Sequence, residues 1–355
     1  MNVLNKDEHA ASMRALKRGT TNNVDMLFPS GTDVRVDTAK LIHAEVKAAA
    51  NYGYTALMRA ILNNATGFVE MLIASGAYVN NTDDCGTTAL MYAVKVNSVE
   101  YVGKVIAAGA NLNASDTAGK TALMFAVDLD SNECVEILIA SGADVNAADK
   151  HEGTALKYAI ARNFAKCVES LIAGGVDVNT ADKNGETALM FATENYSIEC
   201  VEMLIASGAD VNTADKQGWT ALMFAIWMEF TECVEMLIAS GAYLNTTIVN
   251  GKTALMFVIE LGSIDMIDYV EMLIANGADV NTADKHGWTA LMYAIWMEFT
   301  ECVEILIANG ADVNTAAESG KTAIMFANEF GSSDCVEILI AFGADVNGCD
   351  KHGSV

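Results

Sequence analysis

One proline, Pro29, is all that a chain of 355 residues contains. No Pro/Ser-rich stretch occurs, so no extended linker is expected. Long apolar runs are also missing. None exceeds Ala221–Met228, far short of what a bilayer-spanning helix needs. The opening residues, MNVLNKDEHA, hold no apolar core and do not read as a secretory signal. Eight cysteines are present but no C-x-x-C pair, which fits a reducing, cytoplasm-like setting; export as an effector is the alternative one. Basic side chains are scarce: 21 against 46 acidic ones, for a net charge of -25. Residues 1–50 carry 7 basic and 6 acidic groups, so residues 51–355 carry 14 and 40, a net of -26. Such a body repels nucleic acid and anionic membranes and favours basic partners.

What the chain has in abundance is repetition. Thr-Ala-Leu-Met, or a close variant, begins at Thr55, Thr88, Thr121, Thr154, Thr187, Thr220, Thr253, Thr289 and Thr322. The steps are 33 residues, except for 36 between Thr253 and Thr289. Downstream in each unit lies a second element, for example Cys200-Val201-Glu202-Met203-Leu204-Ile205 followed by Gly208-Ala209-Asp210-Val211-Asn212. Each unit reads as two short helices. Thr187 caps the first, which carries Leu189, Phe191 and Ala192. The second places Val201, Leu204 and Ile205 on one face, and Gly208 ends it. The Val-Asn-x-x-Asp-x-x-Gly segment between units suits a hairpin. A pair of two-turn helices buries its apolar face only against neighbouring units, which predicts an all-α repeat solenoid.

The 33-residue period with Gly-x-Thr-x-Leu-x-x-Ala and then Gly-Ala-Asp-Val-Asn resembles the ankyrin-repeat family. The resemblance covers nearly the whole chain. It implies stacked helix-turn-helix units joined by hairpin-like loops, and protein binding on a concave face of hairpins and first helices, without catalysis. Two positions depart from the family. Ala56, Ala188 and their equivalents stand where proline is usual, and alanine still forms helix well. Met58, Met190 and their equivalents stand where histidine is usual. Methionine does not reproduce histidine's hydrogen bonds, which predicts a looser hairpin.

Four segments are expected. Residues 1–36 read as a degenerate N-terminal capping repeat, and 37–50 as an inserted helix capped by Asp37, with Leu41, Ile42 and Val46 as its stripe. Residues 51–347 hold nine repeats, and 348–355 begin another. No polar cap follows the ninth repeat, so the chain is read either as a truncated piece or as meeting something there. The three extra residues of the long unit, Met266–Asp268 or neighbours, are expected to lengthen the turn between its helices.

Sites for chemistry are few. Gly-Lys-Thr occurs at Gly119-Lys120-Thr121, Gly251-Lys252-Thr253 and Gly320-Lys321-Thr322. A phosphate-binding loop needs an earlier glycine where Ala114, Thr246 and Thr315 stand. A nucleotide-binding enzyme or regulator using these tips is the alternative function. Cys134, Cys167, Cys200, Cys233, Cys302 and Cys335 share one repeat position, taken by Phe68, Tyr101 and Tyr269 elsewhere. Aromatic alternatives point to core thiols, not to metal ligands or disulfides. His9, His43, His151, His286 and His352 show no ligand spacing, and no metal or cofactor is expected. Glu70, Glu136, Glu169, Glu202, Glu235, Glu271, Glu304 and Glu337 read as a solvated ridge.

Two positions vary freely between units: the residue before the threonine, and the residue seven after it. All four tryptophans fall there, Trp219 and Trp288 at the first, Trp227 and Trp296 at the second. Met228, Met297 and Phe330 take the next place. Trp in positions elsewhere filled by Lys and Glu reads as a set of surface anchors for a protein partner with apolar and basic groups. Residues 201–243 and 270–312 match at 37 of 43 positions, so one tryptophan pair is readable as a copy of the other.

Overall fold

The computed structural model describes residues 54–347. The expected capping repeat, the inserted helix and residues 348–355 lie outside them. Eighteen helices occur among the described residues, two in each of nine repeats, with no sheet. By contacts the chain divides into two units, residues 1–177 and 178–355. Repeats one to four lie in the first unit and five to nine in the second. Within each unit, a repeat's first helix packs on its own second helix and on the first helix of the next repeat.

Each first helix spans seven or eight residues, such as Ala56–Leu62, Ala221–Trp227 and Ala290–Trp296. The repeating threonine precedes it in extended backbone. In repeats one to seven its Oγ1 accepts the amide hydrogen bond of the third helical residue, as Thr187 does from Met190. Thr289 and Thr322 keep the cap backbone without that bond. Alanine at the first helical position is buried in repeats two to nine, so it serves close packing as well as propensity.

Second helices span nine or ten residues, for example Ile198–Ala206. They present Cys200, Val201 and Leu204 inward, a spacing of one and four that lines one helical face. All six cysteines of this row are fully buried. The glutamates beside them, Glu70 to Glu337, are exposed as expected. Ser207 closes the helix and Gly208 follows at φ +87°, the left-handed position that favours glycine.

The hairpins carry ties that do not depend on a histidine. A carboxylate does the tying. In six hairpins an aspartate Oδ1 accepts two backbone N–H groups, two and four residues on: Asp83, Asp116, Asp149, Asp182, Asp215 and Asp284. Successive tips are also stitched together. Thr117 N–H donates to Cys85 O, and Glu318 N–H to His286 O. The asparagine of Gly-Ala-Asp-Val-Asn forms a second ladder: Asn281 Oδ1 accepts from Asp312 N–H at 2.8 Å, and its Nδ2 donates to Gly310 O at 2.9 Å. Methionine sulfur even joins the cap weakly, Met58 Sδ accepting from Thr55 N–H at 3.4 Å.

The three extra residues of repeat seven are not confined to a turn. The first helix gains one residue (Ala254–Leu261), the second gains one (Met266–Ala275), and the turn between them takes the third. Met266 is buried, while Ile264 at the turn is almost fully exposed.

Candidate protein-binding surface

The hairpin tips and first helices carry the residues that differ most between repeats, and their geometry follows a rule that column-by-column reading does not reveal. In repeats three, six, seven and eight the residue before the threonine touches two neighbours: the residue eight on in its own repeat, and an aromatic ring four residues after the threonine of the next repeat, at Tyr158, Phe257, Tyr293 or Phe326. Tyr54 meets the corresponding ring of Tyr92.

In three repeats the first neighbour is a carboxylate. Lys120 Nζ meets Asp128 Oδ2 at 2.8 Å, Lys252 meets Glu260 Oε2 at 2.6 Å, and Lys321 meets Glu329 Oε2 at 2.7 Å. In two repeats it is a second tryptophan. Trp219 stands edge-on to Trp227, ring centroids 5.8 Å apart, and Trp288 edge-on to Trp296 at 6.1 Å. Toward the next repeat, Trp219 meets Phe257 at 5.1 Å and Trp288 meets Phe326 at 4.7 Å. Lysine does the equivalent: Lys120 Nζ lies 4.1 Å from the Tyr158 centroid and Lys252 Nζ 4.8 Å from that of Tyr293. A π face accepts either an edge of another ring or a cation, so both residue types suit one seat.

The Gly-Lys-Thr lysines are therefore held by carboxylates of their own repeats. Their glycine N–H groups close the hairpin turns, Gly251 donating to Ile248 O and Gly320 to Ala317 O.

Of the predicted anchors, Trp227 and Trp296 are 47% and 44% exposed. Trp219 and Trp288 are half-buried between flanking rings, more recessed than the sequence reading of them as surface anchors. Their backbone N–H groups are fixed by Asp215 and Asp284. Phe330 stacks on Phe326 at 6.1 Å and so joins the Trp288 cluster. Met228 and Met297 end their helices instead. Met297 Cε comes within 3.5 Å of where a Cβ on Gly262 would stand, beside the turn between the helices of repeat seven. They are placed at the opposite end of the helix from the hairpin. The sequence reading missed the aromatic row four after the threonine, present in eight of nine repeats. It was visible as Tyr92, Phe125, Tyr158, Phe191, Phe224, Phe257, Tyr293 and Phe326.

A groove of about 320 Å³ opens between repeats seven and eight, lined by Lys252, Glu260, Asp284, His286, Trp288, Tyr293 and Trp296. Asp284 is buried; its Oδ2 accepts the Tyr293 hydroxyl at 2.8 Å. Burial, and then that hydrogen bond, push the Tyr293 hydroxyl's pKa well above the ordinary phenol value. Among the described residues, no cluster of His, Cys, Asp and Glu could hold a metal ion, and no helix is long and apolar enough to cross a membrane.

Stacked two-helix units with capped first helices and tied hairpins define a helical-repeat solenoid. Family models place it further. Models described as ankyrin repeats match residues 68–149, 156–248 and 244–317 in three copies, and residues 41–93 in another form; a single-repeat model matches 319–351. The chain belongs to the ankyrin-repeat family, whose repeats mediate protein–protein interaction. No curated protein matches it.

Proposed function

We propose that this chain is a scaffold or adaptor that binds a protein partner on the hairpin and first-helix face of repeats six to nine. The observation that carries this is the pair of aromatic clusters centred on Trp219–Trp227 and Trp288–Trp296. Each holds a recessed tryptophan rigid and leaves an indole nearly half exposed beside it. Large rings on a fixed backbone lose little entropy on binding and are typical hot spots. The acidic body, with Glu229 and Glu298 exposed next to the clusters, favours a partner that brings Lys or Arg together with apolar groups. The nucleotide-binding alternative has no observation in its favour, since its lysines and glycine amides serve the repeat itself.

The test is affinity capture from the source cell with the wild type and with Trp227→Ala plus Trp296→Ala, followed by a Kd for the purified partner. Removing two hot-spot indoles is expected to weaken binding by about 100-fold or more, with the fold intact by circular dichroism. An unchanged Kd refutes the placement of the surface.

A further inference from the structure

The groove between repeats seven and eight has the chemistry of a seat for one arginine side chain of the partner, and we infer that this is its occupant. The inference rests on the protein-binding reading above and names what enters one site of that face.

The chain supplies its own precedents for a cation on this surface. Lys95 Nζ lies 4.2 Å from the Phe125 centroid, Lys120 lies 4.1 Å from that of Tyr158, and Lys252 lies 4.8 Å from that of Tyr293. Each such lysine belongs to one of the two variable positions. In repeat eight both of those positions are tryptophan, so the chain's own cation is replaced by two indoles. Indole is the strongest of the side-chain π faces for a cation. Trp288, Tyr293 and Trp296 stand mutually inclined at 58°, 89° and 66°, with centroids 5.3 to 6.3 Å apart. They form one aromatic wall of the groove.

The lining also holds two carboxylates, Asp284 and Glu260. Asp284 is committed: its two oxygens take two backbone N–H groups and the Tyr293 hydroxyl. It contributes negative potential without offering a ligand. Glu260 differs. Lys252 takes its Oε2, and the Glu260 side chain is one-third exposed, which leaves acceptor capacity for a donor from outside. A guanidinium suits both the rings and the carboxylate. It is planar, weakly hydrated, stacks on indole, and presents paired N–H donors to a carboxylate. An ammonium offers a compact charge without the plane, and Lys252 already fills that role. The groove lies at the small end of ligand sites, the size for one side chain and not for a cofactor. With Lys252 positive and Glu260 and Asp284 negative, the groove is net anionic, as is the body around it.

The experiment uses the full chain carrying Trp219→Phe and Trp227→Phe, so that emission comes from Trp288 and Trp296 alone. The probes are blocked Ala-Arg-Ala, its citrulline analogue, and blocked Ala-Lys-Ala. Expected is a saturable emission change with the arginine peptide at millimolar concentration, and a Kd about 10-fold weaker or worse with citrulline, which keeps the shape and loses the charge. Lysine is expected to bind more weakly than arginine. Glu260→Gln is expected to weaken the arginine peptide about 10-fold, and Lys252→Met, which removes the competing cation, to strengthen it several-fold. Equal binding of citrulline, lysine as tight as arginine, or weakening by Lys252→Met each overturns the seat. If the arginine peptide fails while Trp227→Ala plus Trp296→Ala still abolishes partner capture, the arginine seat is wrong and the binding face stands. If the peptide behaves as expected while partner capture ignores those substitutions, the seat stands and the placement of the partner does not.

Discussion

The hairpin aspartate sets the most demanding test of how the array is held. Asp149 is buried, and its Oδ1 accepts the N–H of His151 at 2.8 Å and of Gly153 at 2.9 Å, while Oδ2 accepts the Tyr158 hydroxyl. Hydrogen bonds to a charged acceptor are worth about 1.5–3 kcal/mol each. They act here as one unit, and water can reach the half-exposed amides, so their sum overstates the loss. Asp149→Ala is expected to cost about 3 kcal/mol in urea unfolding, and Tyr158→Phe about 1 kcal/mol, because the phenylalanine removes only one of the three hydrogen bonds that the carboxylate accepts. Because stability in repeat arrays is carried by each repeat and its immediate interfaces, hydrogen exchange should quicken in repeats three and four first. The same carboxylate predicts an acid limb. Burial alone raises the Asp149 carboxyl, but the Tyr158 hydroxyl and the Gly153 and His151 amides outweigh it and hold the value below the ordinary 3.8; Asp83 is lowered in the same way by Tyr92, Thr87 and Cys85. A lowered folded value means that the stabilisation is complete above the unfolded value and drains away as pH falls below about 4. A cost under about 0.5 kcal/mol for Asp149→Ala, or an equal cost for Tyr158→Phe, refutes the assignment of the tie to the carboxylate.

Two further outcomes follow from the same geometry. Burial pushes the Cys233 thiol up to about 11 and the Cys167 and Cys302 thiols up to about 12. In the folded chain these thiols should therefore resist alkylation at pH 8 while exposed Cys85 reacts at once, as peptide-level mass spectrometry would show. Their raised values also mean stability intact below pH 9 and lost progressively above it, and a flat alkaline profile would contradict this. Gly251→Ala places a Cβ 2.7 Å from Lys285 N at φ +86° and is expected to cost about 2–3 kcal/mol, whereas Gly208→Ala, at φ +87° with open space, costs only the strain of about 1 kcal/mol; equal midpoints for the two would sink the contact argument.

The fold was legible because it is periodic. A threonine that caps, a Val-x-x-Leu stripe and a glycine stop recur often enough that each local preference is confirmed by its copies, and the helices fall where those signals end. The buried cysteine row was legible for the same reason: Tyr101 and Tyr269 in the same column point to a packing site. The hairpin ties were not. Methionine at the histidine position suggested a loss, while the acceptor that ties the hairpin, Asp83 or Asp284, lay several residues upstream in a segment that reads only as a turn. The candidate surface was half legible. Tryptophan among Lys and Glu marked Trp227 and Trp296 correctly as exposed. That Trp219 and Trp288 are wedged against Phe257 and Phe326 depends on the contact between repeats, which no single column of residues displays. Met228 and Met297, next to the exposed tryptophans in sequence, cap the C-terminal ends of the same helices.

The pairing of the two variable positions limits how such a surface can change. The ring after the next threonine is nearly constant, and Lys120, Trp219, Lys252 and Trp288 before the threonine offer it a cation or an edge. Lysine there brings a charge into a half-buried site, and Asp128, Glu260 and Glu329 supply its counter-charge eight residues on. Tryptophan needs no counter-charge, and a carboxylate beside it would be desolvated without a partner, so Trp227 and Trp296 take that place. In repeats three and six to nine the two positions pair as Lys with an acid or as Trp with Trp, while Tyr54 with Leu62, Thr87 with Lys95, Gly153 with Ala161 and Glu186 with Glu194 follow neither pattern. Repeats six to nine alternate between these solutions. The alternation sets aromatic and ion-paired seats side by side, one repeat apart, and Lys252 and Glu260 of one seat meet Trp288 and Trp296 of the next in the same groove. A surface of one kind alone would bind apolar or charged segments loosely along its length. On the proposed binding face, the alternating order would instead fix the register of a partner that carries apolar and basic groups at the repeat spacing, a source of specificity in a copied scaffold.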